Sequence, residues 1–164
     1  MSIAIRPATA ADQPTLSAMV RDARLNPFRL HWGDFLIAED EGHIVGIGQV
    51  RPHGDGSREL SSLVVAPERQ AQGIGSQVVE ALLARETKPT YLFCRDRLAS
   101  FYERFGFQLV ERRQLPRALA RMHRVANLMT SVEALFRSRH ERIVAMRRDL
   151  PTSSPLPFST PLAI

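Results

Sequence analysis

Short apolar runs alternate along the chain with longer stretches in which apolar residues recur at helical spacing. The short runs predict β-strands and the longer stretches predict amphipathic helices. The predicted strands, one to seven, lie at residues 3–6, 35–39, 44–50, 59–65, 91–94, 107–113 and 142–148. The predicted helices run from Thr9 to Asn26, from the turn near residue 75 to Glu86, from Leu98 to Phe105 and from Leu115 to Phe136.

Strands that alternate with helices in this order predict an α/β fold, a mixed sheet of about seven strands with helices on both faces. Strands four and five are expected to be parallel, because a crossover helix joins them. A chain of 164 residues suits one domain, which we expect to span residues 1–150. Residues 151–164 contain four prolines and little periodicity, and they predict a tail without regular structure.

A glycine turn, Gln70–Ser76, joins strand four to the helix that follows. Glycines let the backbone bend sharply and approach an anion, and the first amides of a helix have no partner within it. The segment therefore predicts a phosphate cradle, although a plain strand-to-helix turn has the same pattern. It lacks the Gly-Lys-Ser/Thr of a P-loop and the third glycine of a Rossmann turn.

A second segment, Ala99–Phe107, places a tyrosine on a short helix that ends in Gly-Phe. Together the two segments resemble the signatures of the GNAT superfamily of acyl-CoA-dependent N-acetyltransferases. The matching residues are Gln70, Gly73 and Gly75 in the first signature and Tyr102, Gly106 and Phe107 in the second. The resemblance extends from about Ile3 to Asp149, which is nearly the whole chain.

The resemblance implies a GNAT-like fold in which strands four and five splay apart and coenzyme A lies in the resulting V. It also implies direct transfer of an acetyl group from acetyl-CoA, as co-substrate, to a primary amine of a small molecule or peptide, with no metal ion. The residues that it places at the cofactor are Leu63, Val64, Val65, Gln70, Gln72, Gly73, Ile74, Gly75, Ser76, Arg95 and Tyr102. Arg95 departs from the family, because many members have an asparagine there.

The same resemblance makes Tyr102 the candidate general acid. A phenol is protonated at neutral pH and could donate to the departing thiolate, although a tyrosine on a helix can also serve only to pack its ring. Cys94, the single cysteine, lies within the short apolar strand 91–94 and is interpreted as an inert core thiol.

Glu59, which opens strand four, is the candidate general base, accepting the amine proton through water as in some family members. Strand alternation is expected to place Glu59, Ser61 and Leu63 on one face, although a glutamate at a strand edge is more often a solvated side chain. His31 and His53 lie in loops that would border the acceptor. Either is an alternative base, and each alone is more often a surface histidine.

The net charge of +5 is concentrated after residue 110, where Arg117, Arg121 and Arg124 share one face of the long predicted helix. Such a stripe is usually a solvated face, and an acidic substrate or partner is the alternative. Nucleic acid is a weaker interpretation, because no aromatic platform alternates with the arginines. The helix 115–136 exceeds the hairpin usual in the family, and we expect it to cover the acceptor cleft or to form a homodimer contact.

Membrane and secreted classes are not favoured, because no apolar run reaches the roughly 20 residues that span a bilayer, and the N-terminus lacks the basic segment and long apolar core of a secretory signal. We therefore expect a cytoplasmic protein. The alternative to catalysis is a non-catalytic acyl-CoA-binding regulatory protein that kept the fold and lost the base.

Overall fold

The computed structural model describes residues 3–124 and 142–150. Within these ranges, seven strands form one sheet. The strand order is β1-β2-β3-β4-β5-β7-β6, and all neighbours are antiparallel except β4 and β5. The strands are β1 (Ala4–Pro7), β2 (Phe35–Asp40), β3 (His43–Pro52), β4 (Arg58–Val65), β5 (Thr90–Arg95), β6 (Gln108–Val110) and β7 (Ile143–Arg148). The predicted mixed sheet with parallel strands four and five is confirmed.

Helices cover both faces of the sheet, as predicted. The helices are α1 (Gln13–Asp22), α2 (Ile74–Leu83), α3 (Ala99–Glu103) and α4, which is described over residues 117–124. Successive strand residues point to opposite faces, so Phe35 and Ile37 pack with α1, whereas Leu36 and Ala38 pack with α2. Leu119 of α4 packs on the same face of the sheet as α1, against residues of β5 and β7.

Three predicted elements end three or four residues earlier than expected, and local backbone bonds explain two of these differences. Helix α1 ends at Asp22 rather than Asn26, because Arg24 adopts a left-handed φ of 54° and the Leu25 amide bonds back to the Val20 carbonyl. Strand β6 ends at Val110 rather than residue 113, because a capping box between residues 111 and 114 starts a short 3-10 turn. Helix α2 ends at Leu83, three residues before the predicted end.

The two parallel strands separate soon after they meet. Pairing between β4 and β5 covers Arg58 to Leu60 on one strand and Thr90 to Leu92 on the other. Beyond these residues β4 continues beside β3 to Val65, and β5 continues beside β7 to Arg95. The predicted splay is therefore present, and it opens a V toward the carboxyl ends of both strands.

A β-bulge in β4 overturns one expectation about its faces. The register with β3 shifts between Gln49↔Ser61 and Ile47↔Val64, and Ser62 adopts a left-handed φ of 53°. Because the bulge inserts a residue, Leu63 packs on the α2 face rather than with Ser61. Glu59 and Leu63 thus lie on opposite faces, and the predicted alternation of Glu59, Ser61 and Leu63 was wrong.

Helix α4 begins against the loop between β3 and β4. The Asp55 carboxylate accepts from the Ala118 backbone amide at 3.1 Å, and Leu119 is fully buried with Tyr91 and Ala145. Arg117, Arg121 and Arg124 are exposed, as a solvated face requires. The rest of the predicted helix, to Phe136, and the predicted tail 151–164 lie outside the described residues.

Candidate active site

The glycine turn forms the entry to α2 at the open end of the V. Ala71 and Gly73 have left-handed φ values of 60° and 78°, which reverse the chain immediately before the helix. The first helical bond runs from the Gln77 amide to the Gly73 carbonyl at 3.1 Å. The amides of residues 74–76 are therefore those that a helix N-terminus leaves without a helical acceptor, in a position suited to an anion.

The two glycines of this turn have different surroundings. A Cβ added at Gly73 would meet no atom within 4 Å, so the backbone there faces open space. A Cβ added at Gly75 would lie 3.5 Å from Val65 Cγ2 and 3.9 Å from Phe101 Cζ. Gly75 is thus the point where the end of β4, the start of α2 and α3 meet, and the two sequence motifs converge there.

Side chains of the turn hold its shape. Gln70 Nε2 donates to the Val65 carbonyl at 3.2 Å, and Gln72 Oε1 accepts from Arg69 Nε at 3.1 Å. Arg69 Nη1 also forms an ion pair with Asp40 of β2 at 2.7 Å. Both glutamines predicted at the cofactor therefore lie at the turn, and their side chains brace it against neighbouring strands and residues.

Tyr102 lies on α3, on the face of the sheet that α2 covers. It is 8 % exposed and packs with Cys94 of β5, with its ring edge-on to Phe101 and Phe107. Burial in these apolar surroundings raises the pKa of Tyr102 above that of a free phenol, and the nearby Cys94 thiol adds to the effect. The phenol consequently keeps its proton at physiological pH and is available as a hydrogen-bond or proton donor.

Glu59 lies on the other face, and it is buried rather than solvated. Its Oε2 lies 2.8 Å from His53 Nε2 and 3.9 Å from Arg51 Nη1. All three side chains are less than a tenth exposed. The expectation of a surface histidine was therefore wrong for His53, because the tight turn after β3 brings its ring over the start of β4. His31, by contrast, is exposed.

The acid and base candidates approach the V from opposite faces. Glu59 pairs with Tyr91 in the last stretch where β4 and β5 touch, one residue before the strands separate. Tyr102 packs beside Cys94, beyond that point on β5. A molecule in the V would thus have a proton donor on the α2 face and a buried carboxylate–histidine pair on the α1 face.

A row of buried polar side chains continues from Glu59 along the α1 face. Register pairs Arg51 with Glu59 and Gln49 with Ser61, and Gln49 Nε2 donates to Ser62 Oγ at 2.9 Å. Three buried polar atoms of these side chains have no hydrogen-bond partner among the described residues: Gln49 Oε1, Arg51 Nε and Ser61 Oγ. We call Gln49, Arg51, His53, Glu59 and Ser61 the polar row.

Sequence reasoning missed Gln49 and Arg51, although a signal for them was present. Both occur in a strand that otherwise reads as apolar and glycine-rich, Ile44–Val50 and its extension to Pro52. Polar residues at alternate positions of a central strand, on the side that faces the core, have to find partners or a ligand. That pattern identifies the face of β3 on which the polar row lies.

The other predicted residues have simpler surroundings. Arg95 is exposed at the open end of β5, within reach of the V. Cys94 is buried, and burial raises the pKa of its thiol to about 11, so an inert core thiol is the correct interpretation.

Over residues 3–124 and 142–150 no cluster of histidine, cysteine and acidic side chains is arranged to hold a metal ion. No helix in those ranges is both long and apolar enough to cross a membrane.

Comparison with known proteins agrees with this geometry. Residues 31–109, which run from the loop before β2 into β6, match the model of an acetyltransferase (GNAT) domain. No protein with a curated description matches the chain at a significant level.

Solved structures share the fold. N-acetylglutamate synthase from Neisseria gonorrhoeae, complexed with coenzyme A and N-acetyl-glutamate, superposes with a TM-score of 0.73 over 92% of this chain at 19% identity. This chain spans only 36% of that protein. A Mycobacterium tuberculosis protein in complex with CoA has a TM-score of 0.66 at 20% identity and is matched over 99% of its own length and 90% of this chain.

A third neighbour extends the likeness to archaea. Ard1 from Thermoplasma volcanium has a TM-score of 0.62 at 13% identity and covers 92% of this chain, which in turn covers 99% of it. At these identities the likeness to solved structures establishes the fold. The domain model identifies residues 31–109 of the chain as an acetyltransferase (GNAT) domain.

Proposed function

We propose that the protein transfers an acetyl group from acetyl-CoA to a primary amine of a small molecule or peptide, by direct attack of the amine on the thioester. The observation that carries this proposal is the splay after Leu60 and Leu92, with the glycine turn at its open end and titratable side chains on both sides. The outer edge of Leu63–Val65, which β5 no longer pairs, suits the amide groups of pantetheine. The free amides at residues 74–76 suit its pyrophosphate.

The polar face would supply the proton acceptor. With Glu59 ionised, His53 Nε2 donates to it at 2.8 Å, and the other ring nitrogen of His53 is then left as an acceptor. An alkylamine is mostly protonated at neutral pH and has to lose a proton before it attacks. We assign that proton to the Glu59–His53 pair, taken directly or through one water.

The apolar face would stabilise the leaving group. When the amine nitrogen bonds to the acetyl carbon, the carbon–sulfur bond breaks and the electron pair passes to sulfur. Tyr102 is the donor for that thiolate, since its buried phenol holds its proton and lies on the side of β5 opposite the polar row. Holding both reactants in the narrow V contributes the larger part of catalysis by proximity.

A matched pair of glycine variants tests where the co-substrate binds. Gly73 and Gly42 have almost equal φ values, 78° and 80°, and a Cβ at either would meet nothing within 4 Å. Gly73→Val and Gly42→Val therefore impose the same backbone strain, but only the first fills the proposed cradle. Calorimetry should show acetyl-CoA affinity reduced at least about tenfold in Gly73→Val and unchanged in Gly42→Val. Equal affinities in the two variants would reject this site.

Turnover separates the enzyme from a non-catalytic acyl-CoA-binding regulator. Release of free thiol from acetyl-CoA is measured with a panel of amines, and at least one amine should accelerate it above the hydrolysis rate. Tight binding of acetyl-CoA without acceleration by any amine would favour the regulator.

A further inference from the structure

One buried cation of the polar row has no role in the chemistry assigned so far. Arg51 is 3 % exposed, near the end of β3, and its Nε has no hydrogen-bond partner in the described ranges. Its closest carboxylate is Glu59, whose Oε2 lies 3.9 Å from Nη1, beyond hydrogen-bond range. That oxygen is already engaged by His53 at 2.8 Å.

An arginine in this state is costly to the fold. Removing a guanidinium from water is unfavourable unless its donors are satisfied, and desolvation is the main effect on the pKa of Arg51, which it lowers. Glu59 and Asp34 partly offset that burial, whereas the positive charge of Arg29 adds to it. Arg29 itself donates to the Pro52 carbonyl at 3.3 Å, so two guanidiniums converge on the end of β3.

The neighbours of Arg51 include other buried polar atoms that lack partners. Gln49 Oε1 and Ser61 Oγ are also buried without partners, and register places them next to the Arg51–Glu59 pair on the same face. Two apolar clusters flank these polar side chains. One lies around Leu16 and Phe35 under α1, and the other lies around Leu119 under α4. The unpartnered atoms thus lie between two apolar walls, beside the start of the V.

From this arrangement we infer that Arg51 binds a carboxylate on the acceptor, so that the acceptor is an amino acid rather than a simple amine. A guanidinium that gives its Nε–H to a carboxylate gives a neighbouring Nη–H with it, in the two-bond geometry that arginine favours. Gln49 Oε1 and Ser61 Oγ offer acceptors to the ammonium or to other polar groups of the same molecule. The acceptor's amine then lies near the Glu59–His53 pair, because register places Glu59 directly opposite Arg51.

This inference rests on the proposed function, and matched acceptors test it. Common amino acids are offered as free acids and as their carboxamides, with acetyl-CoA in excess, and kcat/KM is measured for each pair. We expect the free acid to be preferred by about tenfold to hundredfold, the range for a hydrogen-bonded ion pair. The preference cannot come from amine basicity, because the carboxylate lowers the fraction of free amine and works against the acid.

Variants assign the preference to Arg51. In Arg51→Gln the acid-to-amide ratio should fall to about one, and Arg51→Lys, which keeps the charge and loses the two-bond geometry, should retain part of it. Arg121→Gln, at an exposed arginine of α4, is the matched control and should keep the full ratio. If the ratio in Arg51→Gln equals that of the native chain, Arg51 is not the carboxylate ligand.

A binding measurement keeps the two proposals separable. The native protein with bound coenzyme A is titrated with N-acetyl amino acids and with their amides. Carboxylate preference in binding without turnover of any amine would support the inference and overturn the proposed catalysis. Acetylation of carboxamides and free acids at equal rates would support the proposed function and overturn the inference.

Discussion

The two faces of the sheet at the V differ in how their side chains are satisfied. On the α2 face, Tyr102 and Cys94 pack in a continuous apolar cluster with Ile74 and Val78. On the α1 face, the polar row interrupts the apolar packing and leaves three buried polar atoms without partners among the described residues. We propose that the apolar face positions the co-substrate, whereas the buried polar atoms without partners on the other face favour a ligand that completes their hydrogen bonds.

The same difference divides the proposed chemistry. The α2 face supplies a rigid edge, a helix N-terminus and one proton donor, and these requirements are the same for any acetyl acceptor. In the same proposal, the α1 face supplies the groups that take up the proton and the groups that recognise the amine substrate. Variation between members of the family is therefore expected to be concentrated on the α1 face, and variants of the two faces should fail in different ways.

Glu59→Gln should have the largest effect on turnover. The change removes the ionised carboxylate that orients His53 and keeps the side-chain shape, so kcat should fall about 10²- to 10⁴-fold. Acetyl-CoA affinity should be unchanged, because in the proposed arrangement the co-substrate lies mainly on the other face. Steady-state kinetics and calorimetry on the same preparation check this, and a parallel loss of acetyl-CoA binding would contradict the division between the faces.

Tyr102→Phe should lower kcat by about 10²-fold, the lower end of the range for a general acid. The variant removes only the hydroxyl and keeps the ring contacts with Phe101 and Phe107. Since burial raises the pKa of Tyr102, the native pH–rate profile should show no basic limb from this phenol below pH 10. An unchanged kcat, measured where chemistry limits the rate, would exclude Tyr102 as the donor.

Close packing on the α2 face predicts an effect on stability rather than on chemistry. A Cβ at Gly48 of β3 would lie 2.9 Å from Val78 Cγ1 and 3.0 Å from Leu82 Cδ1, whereas one at Gly54 would meet nothing within 4 Å. Gly48→Ala should reduce the free energy of unfolding by about 1–3 kcal/mol through overpacking. Gly54→Ala is the control, and equal stability of the two variants in urea would show that α2 can shift without cost.

The smallest predicted effect is at the start of α4, on the α1 side. Bonds from Ser57 and from the Ala118 amide lower the pKa of Asp55 from 3.8 to about 2. A lowered carboxyl pKa stabilises the fold above pH 3.8, and this contribution is lost as the pH falls toward 2. Amides of residues 118–121 should therefore exchange faster at pH 3 than the pH dependence of the intrinsic rate explains, and Asp55→Asn should reduce this difference.

The sequence predicted the sheet better than it predicted the site. Apolar runs and the crossover between β4 and β5 determine strand order, because both depend on local pattern and chain connectivity. The glycine turn and the tyrosine helix were found because each is a contiguous segment. These features lie almost entirely on the α2 face.

The α1 face was predicted poorly for physical reasons. The bulge at Ser62 depends on a left-handed residue that is not a glycine, and no local pattern marks it. The burial of His53, Glu59 and Arg51 arises from pairing between β3 and β4 across a turn, which places three titratable groups together. Each of these residues alone is typical of a surface, and only tertiary pairing makes them a buried cluster.

Hydrogen exchange of the intact protein, with and without coenzyme A, tests most directly whether the two faces have separate roles. On saturation with coenzyme A, the account predicts slower exchange in residues 63–65 and 74–77, at the free edge of β4 and the start of α2. Residues 49–53 of the polar row should exchange at unchanged rates until an acceptor is added. Protection of residues 49–53 by coenzyme A alone, with none at residues 74–77, would contradict the account.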